Sequence, residues 1–140
     1  MPIEQDDVLL NKAAIIERCI RRIRQEYAAN PELDNYTHVD AMILNIERAC
    51  QATIDIAMHV VTQKRLGIPQ SSAEAFMLLS DENLISTELE THLRAMAGFR
   101  NIAVHQYQRL NTDILAHIAT QGWQDMVKFC SALGLRIEAN

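Results

Sequence analysis

Three polar side chains interrupt an apolar segment of the chain. In "FRNIAVHQY" (99–107) they are Arg100, His105 and Tyr107. An arginine and a histidine can together cleave an RNA phosphodiester without a metal. Histidine, with a pKa of about 6.5, can take the proton of a 2′-OH, and arginine can stabilise the charge that develops at phosphorus. The alternative interpretation of the same two residues is a buried polar network or a helix C-terminal cap.

The helical register separates the arginine from the histidine. At about 100° per residue, Arg100 falls within an apolar stripe, and His105 lies about 140° away from it. The stripe consists of Leu89, Leu93, Met96, Ala103, Val104 and Tyr107, whereas His105 shares its face with Ala95, Gly98 and Asn101. Both side chains can act on one ligand if the helix distorts, if the arginine curls round, or if a two-fold dimer brings two such helices together.

Other chemistries lack their characteristic residues. The sequence contains no Gly-rich phosphate loop, no His-Glu-x-x-His and no Glu-x-x-His pair, and its other histidines (38, 59, 92 and 117) are not at metal-ligand spacings. We therefore expect no metal and no cofactor. The net charge of −5 argues against a protein that coats nucleic acid by bulk charge. Three scattered cysteines and the absence of a long apolar run indicate a cytoplasmic protein that does not enter the membrane.

The elements that must position these residues are helical. Four glycines, three prolines and the scarcity of alternating β-branched runs indicate an all-α chain. Capping and breaking residues predict long helices over about 6–29, 37–65 and 86–107, a short one over 72–79, and a last long one after residue 111. Without repeats or linkers, residues 1–140 are expected to form a single domain.

Apolar spacing predicts which helix faces are buried. In the first helix the predicted face is Val8, Ile15, Cys19, Ile23 and Tyr27. In the second it is Val39, Ile43, Ile46, Cys50, Thr53, Ala57 and Val60, and in the last it is Ile114, Ile118, Trp123, Val127 and Phe129. Asp55 and His59 are i,i+4 neighbours on a polar face of the second helix and can interact, although a local pair of this kind is usually structural.

The first helix also carries the densest basic cluster of the chain. The cluster contains Arg18, Arg21, Arg22 and Arg24. A solvated helix face is the favoured interpretation of these arginines, and phosphate contact is the alternative.

The residues also resemble a known family, the HepT-like branch of the HEPN superfamily, whose members are toxins of HEPN/minimal-nucleotidyltransferase pairs. Its signature of Arg, four residues, His, one residue and Tyr is matched by Arg100, His105 and Tyr107. The segments "MAGFRNIAVHQY" (96–107), "LNIERACQATIDIAMHVV" (44–61) and "LGIPQSSAEAFMLL" (66–79) are similar as well. The similarity extends over most of the chain in the expected order.

This resemblance implies a HEPN-like antiparallel up-down helical bundle that forms a two-fold homodimer, with the motifs of both chains facing each other. It implies a type VII-like toxin, an endoribonuclease that cleaves tRNA or mRNA, with Arg100 and His105 as catalytic residues. A cognate MntA-like minimal nucleotidyltransferase would use ATP to transfer AMP to Tyr107, and Asn101 and Asp55 would support the site. The alternative is a non-catalytic subunit that binds nucleotide or RNA for such a nucleotidyltransferase.

Overall fold

All regular structure in the described part of the chain is helical. The structure, a computed structural model, describes residues 3–105 and 112–139, with the backbone alone for 101–105. The elements are α1 (Asp7–Ala29), α2 (Tyr36–Gln63), α3 (Ser72–Asp81), α4 (Thr87–His105), α5 (Thr112–His117), a π-helical turn (Ile118–Gly122) and α6 (Trp123–Ala132). In these ranges no helix is long and apolar enough to cross a bilayer.

Short polar side chains set where the helices begin. Asp6 accepts a hydrogen bond from the backbone N–H of Leu9, and Ser71 accepts one from that of Glu74. Ser86 does the same at the start of α4. Such caps satisfy amides that have no partner within the helix. The predicted starts and ends of α1, α2 and α3 are each confirmed to within two residues.

The two longest helices form an antiparallel hairpin. Polar pairs cross it along its length: Asp6 with His59, Lys12 with Asp55, and Glu26 with His38. The buried face of α1 consists of Leu9, Ala13, Ile16, Cys19, Ile20 and Ile23. The prediction for this face was wrong at Val8, which is 45% exposed. Three successive apolar residues, 8–10, fit several registers, and packing against α2 selects Leu9.

Helix α2 lies at the centre of the bundle and contacts α1, α3, α4 and α6. Its predicted stripe is confirmed as buried from Ile43 to Val60, while Val39 is partly buried. The polar member of the stripe, Thr53, donates its hydroxyl to the carbonyl of Ala49, which satisfies the buried group. Helix α4 packs against α6, and His92 of α4 pairs with Asp125 of α6.

The π-helical turn changes the register of the last helical segment. Its buried residues are Leu115, Ala119, Trp123, Met126, Phe129 and Cys130, whereas the predicted Ile114 is 43% exposed. The prediction assumed one continuous α-helix. A π-helical turn holds an extra residue, so an α-helical register cannot be carried across it.

The C-terminal tail lies across α1 and uses two residues of the basic cluster. Arg21 donates to the carbonyl of Glu138, and Arg24 donates to that of Ala139. The Arg24 guanidinium also stacks 4.4 Å from the centre of the Trp123 ring. The prediction of a solvated face is therefore incomplete, because these two arginines hold the tail against the bundle.

Candidate functional site

The residue that occupies the central position of the predicted site is Arg100, in the last part of α4. Its neighbours Ala97 and Phe99 are buried, and Arg100 itself is half-buried. The Nε atom is fully buried and has no hydrogen-bond partner among the residues that the structure describes. An N–H group left in this state costs free energy in the isolated chain. An anion bound at the guanidinium would offset that cost.

The positive charge of Arg100 acts on the thiol of Cys50, which lies on α2. The Cys50 thiol is 1% exposed, and burial raises its pKa to about 12. The nearby Arg100 charge is the main influence in the opposite direction. No ion pair of Arg100 is found within residues 3–105 and 112–139. Arginine in this setting is suited to bind a phosphate, whose geometry its planar fork matches.

The backbone remains α-helical from Arg100 to His105. The helix therefore does not distort between the two motif residues, which removes one of the three ways in which both could reach a single ligand. A curled arginine and a two-fold dimer remain. Asn101 also lies in this regular turn, whereas Tyr107 is outside the described residues.

Asp55 is engaged on another side of α2. Its carboxylate accepts hydrogen bonds from Lys12 Nζ at 2.9 Å and from Gln51 Nε2 at 2.8 Å. His59, the i,i+4 neighbour, pairs instead with Asp6, at 2.6 Å between Nε2 and Oδ2. Both side chains thus connect α2 to α1. The supporting role of Asp55 in the site stays a prediction, since neither Lys12 nor Gln51 belongs to the motif.

One face of α4 is uncovered in the single chain. Thr91, Arg94, Ala95 and Gly98 are exposed along it. A Cβ built on Gly98 would meet no atom within 4 Å. In the α-helical register this face continues toward residues 101 and 105. The helix is therefore open to a second chain on the side predicted for dimer contact.

The sequence gives no local signature for a cleft near the site. The cleft, of about 420 Å³, lies between α2, α4, α5, the π-helical turn and α6. Phe99 lines it, and Arg100 is the next residue of α4. No local motif indicates the cleft, because its walls come from five elements of the chain. The polar residues His117, Gln121 and Gln124 around an otherwise apolar segment were the available signal.

The fold and the site define an all-helical bundle protein whose fourth helix presents a half-buried arginine, suited to phosphate and without an ion-pair partner among the described residues. The chain matches the family described as "Ribonuclease HepT-like" over residues 13–133. It therefore belongs to the HepT-like family of HEPN proteins, which confirms the resemblance seen in its motifs.

Curated relatives and a solved structure support this assignment. The "mRNA nuclease HepT" of Shewanella oneidensis is 45% identical over 129 residues, which cover 91% of this chain and 97% of the relative. The "tRNA nuclease HepT" of Aphanizomenon flos-aquae is 30% identical over 86 residues, or 59% of this chain and 58% of that one. A solved structure of "tri-AMPylated Shewanella oneidensis HEPN toxin in complex with MNT antitoxin" superposes with a TM-score of 0.87 at 44% identity, covering 93% of this chain and 98% of that chain.

Proposed function

We propose that this protein is a metal-independent endoribonuclease and the toxin of a type VII-like toxin-antitoxin pair. The family to which it belongs and the two relatives named as nucleases support this function. The observation that carries it is Arg100, a half-buried cation with a buried, unpartnered Nε on the motif helix. The substrate is RNA, either mRNA or tRNA, as in the names of the two relatives.

The cleavage step uses the 2′-OH of the RNA as its nucleophile. His105 takes the 2′-OH proton while the 2′-oxygen attacks phosphorus. Arg100 binds the two non-bridging oxygens and stabilises the negative charge that grows on them. The bond from phosphorus to the 5′-oxygen breaks, and the imidazolium returns the proton to that oxygen. The products are a 2′,3′-cyclic phosphate and a 5′-OH, and the reaction consumes no cofactor.

The active unit is a two-fold homodimer in which the ends of both α4 helices meet. The uncovered face of α4, with Ala95 and Gly98 along it, supports this arrangement because small side chains allow close approach. The dimer would place Arg100 of one protomer near His105 of its partner. That contact would satisfy the geometry that a single regular helix does not provide.

The toxin is inactivated by a cognate MntA-like minimal nucleotidyltransferase, which transfers AMP from ATP to Tyr107. The AMPylated HEPN toxin in complex with its MNT antitoxin is the model for this step. Each AMP adds a phosphate close to the site, and the new negative charge competes with the RNA phosphate for Arg100. Both partners would act in the cytoplasm, where the three buried thiols remain reduced.

The decisive experiment is an RNA cleavage assay with the purified dimer in EDTA. We expect cleavage to products with cyclic phosphate ends, no cleavage of RNA that carries a 2′-deoxy nucleotide at the cut, and loss of activity in His105→Ala. Unimpaired cleavage by His105→Ala would overturn the assigned chemistry. Binding of RNA without cleavage by the unmodified dimer would favour the alternative, a non-catalytic binding subunit.

The inactivation is tested separately by intact mass. Co-expression with the neighbouring nucleotidyltransferase gene should add one or more AMP units to the chain. Tyr107→Phe should carry none and should remain toxic in the presence of the antitoxin. An AMP-bearing Tyr107→Phe protein would exclude Tyr107 as the modified residue.

A further inference from the structure

The cleft beside Arg100 has the size and lining of a small-molecule site. Its volume of about 420 Å³ lies within the usual range of roughly 300–1,000 Å³ for ligand pockets. The walls are largely apolar, from Ile46, Met96, Phe99, Ile118 and Met126. An apolar slot with one aromatic wall suits a flat, partly apolar group.

The rim of the cleft is polar. It carries His92, His117, Gln121, Gln124, Asp125 and Lys128. His92 and Asp125 are paired, with 3.3 Å between Nδ1 and Oδ1, whereas His117, Gln121, Gln124 and Lys128 are exposed. Amide and imidazole groups can each donate and accept hydrogen bonds, as the edge of a nucleobase requires. The Lys128 ammonium adds a positive charge for a phosphate.

The cleft reaches the part of α4 that carries Arg100, although Arg100 itself does not line it. Phe99 immediately precedes Arg100 on α4 and lines the cleft. Cys50 lines it from α2 and is the thiol on which the Arg100 charge acts. The proposed phosphate site and the cleft are thus neighbours on α4. Unpaired RNA bases are commonly held in this way, stacked on an aromatic ring and hydrogen-bonded at their edges.

The π-helical turn shapes this cleft. Three of its residues, Ile118, Gln121 and Gly122, are part of the lining. Such turns are rare and often occur at functional sites. Gly122 has ordinary right-handed backbone angles, with φ −61°, so its backbone does not require glycine. A Cβ there would meet Ile118 and His117 at 3.6 and 3.7 Å, which is ordinary contact. The missing side chain instead leaves space in the cleft.

We propose that this cleft binds one unpaired nucleobase of the RNA substrate, adjacent to the phosphate held by Arg100. The base would stack within the apolar walls, with its edge at Gln121 and Gln124. The flanking phosphate would lie near Lys128. This inference rests on the proposed ribonuclease function, since it names a substrate subsite of that same centre.

The test separates binding from cleavage by using the full-length His105→Ala dimer. The four 3′-nucleoside monophosphates, their nucleosides and a short 2′-deoxy oligonucleotide are titrated by calorimetry. Ile114 lines the cleft and is 43% exposed, so Ile114→Trp fills the mouth without emptying the core. Leu10→Trp is the matched control, because Leu10 is an exposed aliphatic residue, at 51%, on α1.

We expect Ile114→Trp to weaken binding by about tenfold or more, the loss typical of one base-stacking contact. Leu10→Trp should bind normally. Lys128→Ala should weaken the binding of the monophosphates and of the oligonucleotide, and it should leave the binding of the nucleosides unchanged. Equal nucleotide affinities of Ile114→Trp and Leu10→Trp would overturn the proposal. It would also be overturned if the monophosphates bind tightly while Ile114→Trp leaves the affinity for the oligonucleotide unchanged.

RNA cleavage by the unmodified dimer, measured in parallel, distinguishes the two levels of inference. If the dimer cleaves RNA and Ile114→Trp has an unchanged KM, the subsite is refuted and the ribonuclease function stands. If the dimer binds nucleotides in the cleft and cleaves no RNA, the base site stands and the catalytic function is refuted.

Discussion

Replacing Arg100 by methionine should stabilise the folded protein while it strongly lowers RNA cleavage. The Nε atom of Arg100 is buried without a hydrogen-bond partner in the described part of the chain, and Cys50 beside it is uncharged and buried. Methionine retains the apolar stem and removes the unsatisfied group. Residues held in place for catalysis often lower stability in this way.

The size of the gain follows from the burial of Arg100. A buried, unsatisfied donor costs about 1–3 kcal/mol. Since the rest of the Arg100 side chain is only half-buried, the low end, about 1 kcal/mol, applies. For a chain of 140 residues this corresponds to a rise in Tm of about 3–5 °C. Cleavage should fall by about 10²–10³, as for the loss of one transition-state donor.

Arg94, on the same helix, provides the matched substitution with the opposite sign. Its Nε lies 2.6 Å from Oε1 of Glu90, whose side chain is only 6% exposed. That oxygen makes no well-aligned hydrogen bond, so the pair is held mainly by charge. Arg94→Met would leave a buried carboxylate without its counter-charge. The full cost of breaking a buried pair is about 3–5 kcal/mol, which we reduce to about 1–2 because Arg94 is 46% exposed.

The assay is thermal unfolding of both variants and the parent protein at one concentration and pH, followed by RNA cleavage. We expect the Tm of Arg100→Met to rise and that of Arg94→Met to fall. A fall of five degrees or more in Arg100→Met would show that Arg100 belongs to a structural polar network. Retained cleavage by that variant would refute its assignment as the phosphate-binding cation.

Three further predictions concern contacts remote from Arg100. The backbone N–H of Leu9 and then His59 hold the pKa of Asp6 below its usual 3.8, so the charge of Asp6 stabilises the fold above that pH; the Tm difference between wild type and Asp6→Asn should shrink as the pH falls through the lowered pKa. Arg24→Met should cost about 1 kcal/mol in denaturant unfolding and speed proteolysis of the tail, since it removes the contact with Trp123 and the bond to Ala139. Burial raises the pKa of Cys50 to about 12, so that thiol should react with a disulfide reagent at pH 8 only after unfolding.

Much of the fold could be predicted because its signals are local. Asp6, Ser71 and Ser86 cap helices where the sequence placed them, and the stripe on α2 has a single clear register. The face of α1 could not be predicted at Val8, where adjacent apolar residues allow several registers and only tertiary packing decides. The π-helical turn has no counterpart in apolar periodicity.

Contacts between residues that are far apart in the sequence could not be predicted from local patterns. The spacing allowed Asp55 to pair with His59, yet each pairs across the hairpin, Asp55 with Lys12 and His59 with Asp6. A partner on the same helix or on a neighbouring helix can neutralise each of these charges equally well. Local sequence does not show which helices lie close enough to supply the second kind of partner. The burial of Arg100 was accessible from the helical angle alone, since its neighbours at turn spacing are apolar. The cleft was not predictable, because five elements form it.

A chain with a net negative charge can still act on RNA if a few of its cations are positioned at the site where the RNA phosphate binds. Arg21 and Arg24 donate to carbonyls of the tail, and Arg22 and Arg94 pair with glutamates of their own helices. These arginines are largely committed to the fold, whereas Arg100 is left for an external anion. Non-specific affinity for nucleic acid rises with the number of phosphates contacted, so such a protein should bind arbitrary RNA weakly. Its choice of substrate must then come from contacts with bases, which the proposed base site in the cleft near Arg100 would supply.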